Sequence, residues 1–419
     1  MSITTFKPDT SAQLADTVTW ALSAGEPLEL LGQGSKRGLG RPVQAGYALD
    51  LSALSGVVAY EPDELVLTVQ AGTPLSTILP MLAERHQHLA FEPQDLGPLF
   101  GQAPGGGTMG GLLASALAGP RRIQAGSARD HFLGFEAVSG RGEVFRAGGK
   151  VVKNVTGYDV PKLMAGSMGT LSALTEVTVK VLPAPEDTRT LILAGRDAAD
   201  ALRALTRALQ SPHEVSGAAH LPGPVAGRSA VTAVAGAHAG VTAVRLEGFG
   251  PSVAARVAAL REELGADAVL DRDESLALWR EVRDVTFFSP SPAMAGEGRG
   301  GGNGLAERLI WKLSVPPATG ARVAEEIVMA LGGEAEFYFD WGGGLIWLAT
   351  VATADARTLR AAMGFAGGHA TLVRAPDHIR ATVDVFHPQP RPLADLAARV
   401  KESFDPRRLF NPGRIYAGV

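Results

Sequence analysis

Four glycine-rich loops punctuate the first 184 residues, and they restrict the fold more than any other feature of the chain. They are Gly32-Gln33-Gly34-Ser35-Lys36-Arg37-Gly38, GQAPGGGTMGG at 101–111, Gly126-Ser127-Ala128-Arg129-Asp130, and Ala165-Gly166-Ser167-Met168-Gly169-Thr170-Leu171. Glycine supplies 51 of 419 residues, well above the usual share of about 7%. Such an excess serves tight turns, or loops whose backbone must approach a ligand closely.

Apolar residues make up 46% of the chain, charged residues 20%, and the net charge is −4. This is the balance of a globular protein of two or three domains, not of a disordered chain. No basic excess is available to pair with the phosphates of a nucleic acid. The chain has no cysteine, so disulfides, zinc–thiolate sites, Cys-ligated iron–sulfur clusters and cysteinyl cofactor links are excluded. No apolar run reaches the roughly 18 residues of a membrane span. Met1 to Phe6 shows no basic region leading into an apolar one, so a cytoplasmic address is expected.

Helix and strand patterns alternate in the first half. Leu14, Val18, Ala21 and Leu22 have helical spacing over 11–24, and a short apolar strand at 28–31 enters the first glycine loop. Residues 56–60 and 65–71 read as strands around a Pro62-Asp63 turn. Thr73 reads as the N-cap of a helix with Pro74 at its first position. Residues 132–139 and 143–146 read as a hairpin around Gly140-Arg141-Gly142, and 171–182 as a long strand. Pro183-Ala184-Pro185 marks a domain boundary. Beyond it, strand-like stretches at 189–194, 242–247, 308–315, 335–339 and 345–351 alternate with helical ones at 197–210, 252–264, 274–284, 319–331 and 355–363. An α+β module follows, with ferredoxin-like pairs of helices on antiparallel strands. The glycine-rich stretch 289–304 reads as a mobile loop, and no sequence repeat of fixed period stands out.

The first loop can form a concave anion site from successive backbone N–H groups, with Lys36 and Arg37 adding charge. It is not a Rossmann fingerprint, because Arg37 stands where the third glycine belongs. The second loop resembles a P-loop until Gly107 replaces the phosphate-binding lysine, which argues against nucleotide hydrolysis. The helix start behind it favours a pyrophosphate or the edge of an electron-rich ring. Ser167 resembles a nucleophile elbow that has lost its first glycine, with no Asp and His placement in support. His86 and His88 read as solvated rather than metal-ligating, and no metal site is expected. His369 is the one histidine of the second half in a glycine-flanked loop.

These loops occur in a fixed order with Glu61-Pro62, Gly72-Thr73-Pro74, Lys153-Asn154-Val155-Thr156-Gly157-Tyr158-Asp159, Thr175-Glu176 and Lys180-Val181. Together they resemble the FAD-binding domain of the vanillyl-alcohol-oxidase (PCMH-type) flavoproteins over about residues 10–184, with 410–414 at the C-terminus. Within that family the likeness is to the FAD-binding subunits of glycolate oxidases. It is carried by Ala118-Gly119-Pro120-Arg121-Arg122, Trp341-Gly342-Gly343, 367–371 and 410–416. The resemblance implies a two-subdomain FAD-binding domain (1–184), an α+β cap (185–388) and a C-terminal segment (389–419) returning to the first domain. It implies non-covalent FAD, a second related flavoprotein subunit and an iron–sulfur subunit. Glycolate would be oxidised to glyoxylate, and the complex could sit peripherally at the inner membrane face. Gly34, Ser35 and Lys36 would hold the pyrophosphate, with Thr108, Gly110 and Gly111 along it and the ring. Gly126, Ser127 and Asp130 would flank the flavin, Gly169 and Leu171 would approach the adenine, and Asn411 would bring the C-terminal segment to the ring.

The chain departs from substrate-oxidising relatives in two respects. It lacks the His-x-His metal motif between 185 and 390, and it has Met168 and Ser172 where they carry an acid and a glycine. His369, Arg414 and Lys153 are the candidates for substrate chemistry, although no spacing gathers them. Three readings follow: an electron-relaying FAD subunit, a self-sufficient 2-hydroxyacid oxidase, and a non-catalytic scaffold.

Overall fold

The computed structural model describes residues 3–149, 157–290 and 305–418. Lys153, and the glycine-rich stretch from 291 onward, lie outside the described residues.

Among the described residues, the N-terminal part holds two main sheets and one short two-stranded pair. Strands β1 (Thr4–Phe6), β2 (Leu28–Leu31) and β3 (Tyr47–Asp50) form a parallel sheet in the order β1-β3-β2. The helix Ser11–Ala24 connects β1 to β2, capped by the Thr10 side chain and ended by left-handed Gly25. Its Leu14, Val18 and Ala21 bury against Leu28, Leu49, Val138 and Ala173. The second sheet draws on β4 (Val57–Glu61), β5 (Val66–Gln70), β7 (Phe132–Ser139), β8 (Val144–Gly148) and β9 (Ser172–Lys180), ordered β4-β5-β9-β7-β8. The 140–142 hairpin and the long strand are present as read. A short pair, β6 (Gln87–His88) with β10 (Leu182–Pro183), closes this part. Thr73 is not a helix cap. The helix begins at Leu75 behind Pro74, and the Thr73 hydroxyl donates to Gln70 O (2.6 Å) and accepts from Gly56 N (3.0 Å).

The remaining strands are β11 (Asp187–Ala194), β12 (Val215–Leu221), β13 (Val241–Gly248), β14 (Ala268–Leu270), β15 (Leu309–Ser314), β16 (Glu336–Asp340), β17 (Leu345–Thr350) and β18 (His369–Arg374). They make one eight-stranded antiparallel sheet, ordered β14-β11-β13-β12-β16-β17-β15-β18. Its connectivity is the same unit twice. In the first, β11, helix Ala198–Leu209, β12, β13, helix Gly250–Leu264 and β14 follow in turn. In the second, β15, helix Gly320–Ala330, β16, β17, helix Ala356–Ala362 and β18 do so. Each half is a ferredoxin-like βαββαβ unit, and the two join edge to edge at His220↔Phe339. Sequence reading found the module but missed β12, β14 and β18, so the repeat was hidden.

The second half of this sheet has two different faces. Trp311, Leu313, Phe339, Ile346 and Leu348 pack under the helices with Val323, Ile327 and Leu359. Ile310, Tyr338, Leu345 and Trp347 face the other way, into a core shared with Leu39, Leu96, Leu99 and Leu117 of the N-terminal part. Strand β17, strand-like in the sequence over 345–351, is buried throughout.

A buried clasp crosses the same boundary. Arg245 of β13 donates through both terminal nitrogens to Glu92 (2.8 and 3.1 Å). Arg121 donates to Glu247 through Nη2 (2.7 Å) and Nε (3.0 Å). The Arg121 backbone N–H also reaches Glu92 (2.5 Å). Burial opposes ionisation of Glu247, but Arg245 and Arg121 outweigh it and hold its pKa at about 2. Removing one partner of such a network strands a buried charge, at a cost of about 3–5 kcal/mol. Arg245→Met is therefore expected to lower the chemical-denaturation stability by about that amount. A loss under about 1 kcal/mol, the range of a surface ion pair, would refute the assignment.

Candidate functional site

A cavity opens where the two N-terminal sheets meet the C-terminal segment. Its lining includes residues 30–37, Thr108, Gly110, Gly111, Ser167, Met168, Gly169, Asn411 and Arg414. The first glycine loop leaves β2 and turns through left-handed Gly34 (φ +72°). The backbone N–H groups of Gly34, Ser35 and Lys36 find no acceptor among the described residues. Lys36 points the same way, since a Cβ on Gly107 would lie 3.2 Å from its Nζ. Burial lowers the Lys36 pKa and the Asp95 charge partly restores it. Adjacent free amides beside an ammonium with no hydrogen-bonded carboxylate form a cradle for an anion such as a pyrophosphate. Arg37 is engaged elsewhere, in a short bidentate pair with Glu29.

The second loop contributes in a different way. Thr108 caps the seven-residue helix Met109–Ser115 by accepting from Gly111 N. Its opening amides are occupied, since Met109 N donates to Thr73 O and Gly110 N to Ala71 O. The free donors therefore come from the first loop, not from this helix start. Gly110 and Gly111 also differ. A Cβ on Gly110 would sit 2.8 Å from Ala71 Cβ and 2.9 Å from its carbonyl oxygen, so this glycine permits close backbone packing. A Cβ on Gly111 would meet only Thr108 Oγ1, at 3.2 Å, with the cavity beyond.

The C-terminal segment completes the wall. Asn411 accepts from Leu30 N at 2.9 Å through Oδ1 and donates to Met168 O at 2.8 Å through Nδ2. It staples β2 to the fourth loop, where Met168 holds φ +54°. Lys401, buried in the helix Arg391–Phe404, donates to Asp405, Thr170 O and Phe410 O. The Asp405 carboxylate in turn accepts from Leu409 N and Phe410 N. Arg414 donates to Lys36 O (2.9 Å) and so supports the first loop from behind. Burial draws its pKa down to about 10 despite Glu29 nearby.

Gly34, Ser35, Lys36, Thr108, Gly110, Gly111, Gly169, Asn411 and Arg414 thus converge. Gly126, Ser127, Asp130 and Leu171 are not among the lining residues. Asp130 accepts from the N–H and hydroxyl of Ser127, so this third loop spends its polar groups on its own turn. Leu171 packs into the core behind β9. Ser167 has no histidine beside it in the lining, so the elbow reading fails. His369 opens β18, exposed and outside the lining. His88 is half-buried rather than solvated. Burial and Arg121 depress its pKa to about 4.

The comparisons agree with this geometry. A family model described as an FAD binding domain matches residues 4–148. The glycolate oxidase subunit GlcE of Escherichia coli (strain K12) is 35% identical over 413 residues, 98% of each chain. The D-lactate dehydrogenase of Archaeoglobus fulgidus is 25% identical over 434 residues, covering 98% of this chain and 90% of that one. The structure of p-cresol methylhydroxylase with substrate bound matches with a TM-score of 0.67 at 14% identity, over 99% of this chain and 88% of that one. It shares the fold. Fold, cradle and relatives together define an FAD-dependent oxidoreductase of PCMH-type architecture. The chain belongs to the family of the glycolate oxidase subunit GlcE.

Two consequences can be measured. Gly111→Val should lose bound FAD while keeping a cooperative melt. Gly110→Val should fail to fold stably, because its methyls meet Ala71 backbone. Equal FAD retention by Gly111→Val and wild type would make Gly111 a packing residue as well. The chain has no cysteine and, among the described residues, no histidine lines the cavity, so heat precipitation should release the flavin into the supernatant. Colour left in the pellet would show a covalent bond.

Proposed function

We propose that this chain is the FAD-binding subunit of a complex that oxidises glycolate to glyoxylate. In that complex it stands beside a second, related flavoprotein and passes electrons onward through an iron–sulfur subunit. The observation that carries the reading is the end-to-end correspondence with the GlcE subunit, joined to a cavity whose free amides and Lys36 suit a pyrophosphate. Bound FAD supplies two-electron acceptance from substrate and onward electron release. The chain's own residues bind and orient it: Gly34, Ser35 and Lys36 cradle the phosphates, Arg414 holds that loop, and Asn411 fixes the opposite wall.

Without cysteine, the chain offers no thiolate set for an iron–sulfur cluster. Its electrons are therefore assigned to a partner, and the complex to the cytoplasmic side, peripheral to the inner membrane. Among the described residues no helix is long and apolar enough to cross a membrane.

Affinity purification of this chain from its native cell should recover an iron–sulfur protein and a second flavoprotein, and the mixture should reduce a dye with glycolate. The isolated yellow chain should turn over far more slowly. A rate for the isolated chain equal to that of the assembly would favour a self-sufficient oxidase.

A further inference from the structure

The cap carries a second polar site that the cradle does not use. On the face of its sheet turned toward the N-terminal part, pairing aligns two rows of side chains. One runs Tyr338, Trp347, Lys312, Thr371 across β16, β17, β15 and β18. The next runs Asp340, Leu345, Ser314, His369. Lys312 is thus a half-buried cation in the middle of an otherwise apolar or neutral row. Among the described residues it makes no hydrogen bond and no ion pair.

Arg122, from the N-terminal part, meets it across the seam. The Arg122 guanidinium lies 4.4 Å over the Trp341 ring, and Lys312 Nζ lies 5.2 Å from the same ring and 5.9 Å from that of Trp347. Arg122 likewise has no carboxylate partner among the described residues. His369, exposed at the mouth of the seam, feels both cations: partial desolvation there lowers its pKa first, then Lys312 and Arg122 lower it further. Burial and Arg122 pull the Lys312 pKa down to about 8, against Asp340. Asp340 is itself pushed up to about 7 by burial, and it is committed to Trp341 N at 2.7 Å.

Trp341 is held in place at a conformational cost. It has φ +52° and is followed by Gly342 and Gly343, also at positive φ. Its Nε1 donates to Gly119 O (3.1 Å), three residues before Arg122. Backbone strain of this kind persists where the surroundings enforce it, and it collects at binding sites. Lys312 is half-buried with no carboxylate bonded to it among the described residues, and Asp340, the acid that acts on it, is spent on Trp341 N, so an anion bound beside the indole would supply the partner that this cation lacks. Met168, which lines the flavin cavity, packs against the same shared core.

We propose that this seam is a binding site for a small carboxylate, with Lys312 and Arg122 as its charged contacts, Trp341 as its floor and His369 at its rim. Taking the ligand to be a 2-hydroxyacid rests on the function proposed above; the anion site itself does not. It gives the chain a carboxylate contact apart from Arg414, whose Nη2 is committed to the first loop.

The test is calorimetric titration of the purified flavin-loaded chain with oxalate and glycolate, and with glycolamide as the uncharged counterpart. Saturable binding of both anions but not of glycolamide is expected. Lys312→Met should weaken oxalate about tenfold or more, the loss of one charge-assisted contact, while Lys312→Arg keeps most of the affinity. Arg122→Gln, at an exposed position, should weaken it as well without change in flavin content or melting temperature. No saturable binding to the wild-type chain, equal binding of glycolamide, or unchanged affinity in Arg122→Gln or a folded Lys312→Met would overturn the site. Saturable binding here, combined with an affinity purification that recovers neither partner and no dye reduction by glycolate, would sink the complex reading and leave the site standing.

Discussion

The arrangement of this protein depends on the charge clasp between Glu92, Arg121, Arg245 and Glu247. Hydrophobic contact alone would bring the cap sheet and the N-terminal part together, because both offer leucines and aromatics to the shared core. It would not fix one orientation, since apolar contact is non-directional. Bidentate pairs between guanidinium and carboxylate are directional. Here they are buried, so sliding the two parts would leave charges unpaired in a poor solvent for them. The clasp is therefore better understood as a constraint on geometry than as a large net source of stability.

A second constraint acts on the cavity. Its walls come from loops whose order in sequence differs from their order in space. The first loop needs free amides and so cannot be held through them. Arg414 holds it through the Lys36 carbonyl instead, and Asn411 ties the preceding strand to the Met168 loop. Both holders lie in the last ten residues. Lys401 and Asp405, both buried, keep that segment in place by satisfying its backbone. The donors facing the ligand stay free because the tethers use other atoms.

What was legible in the sequence follows from this division. The cradle could be read because a nest of amides is local: Gly34, Ser35 and Lys36 are adjacent, and their motif order identifies the fold. The third loop looked equivalent, but Ser127 and Asp130 satisfy each other, which only coordinates reveal. Strand β12, VSGAAHL, was missed because small residues and a glycine blur alternation, and β14 is only three residues long. With those gaps the two βαββαβ halves could not be seen as a repeat. The clasp was illegible for another reason. Glu92 and Arg245 are 153 residues apart, and nothing local marks either as buried. Lys312 looked like an ordinary charged residue within a strand, because its significance lies in the absence of a partner.

The same logic explains why the polar groups of this protein concentrate at one seam. The outer face of the second half-sheet is covered by helices and packs mainly through apolar side chains. The inner face meets a neighbour built mainly of loops, and loops leave backbone groups and long cations unmatched. At the clasp those groups are matched within the chain. Around Lys312, Arg122 and Trp341 they are not. A ligand carrying negative charge would complete there what Glu92 and Glu247 complete a few strands away. The clasp holds the two sides of the seam at fixed separation, so that ligand would find its contacts already in place and lose little affinity to reorganisation.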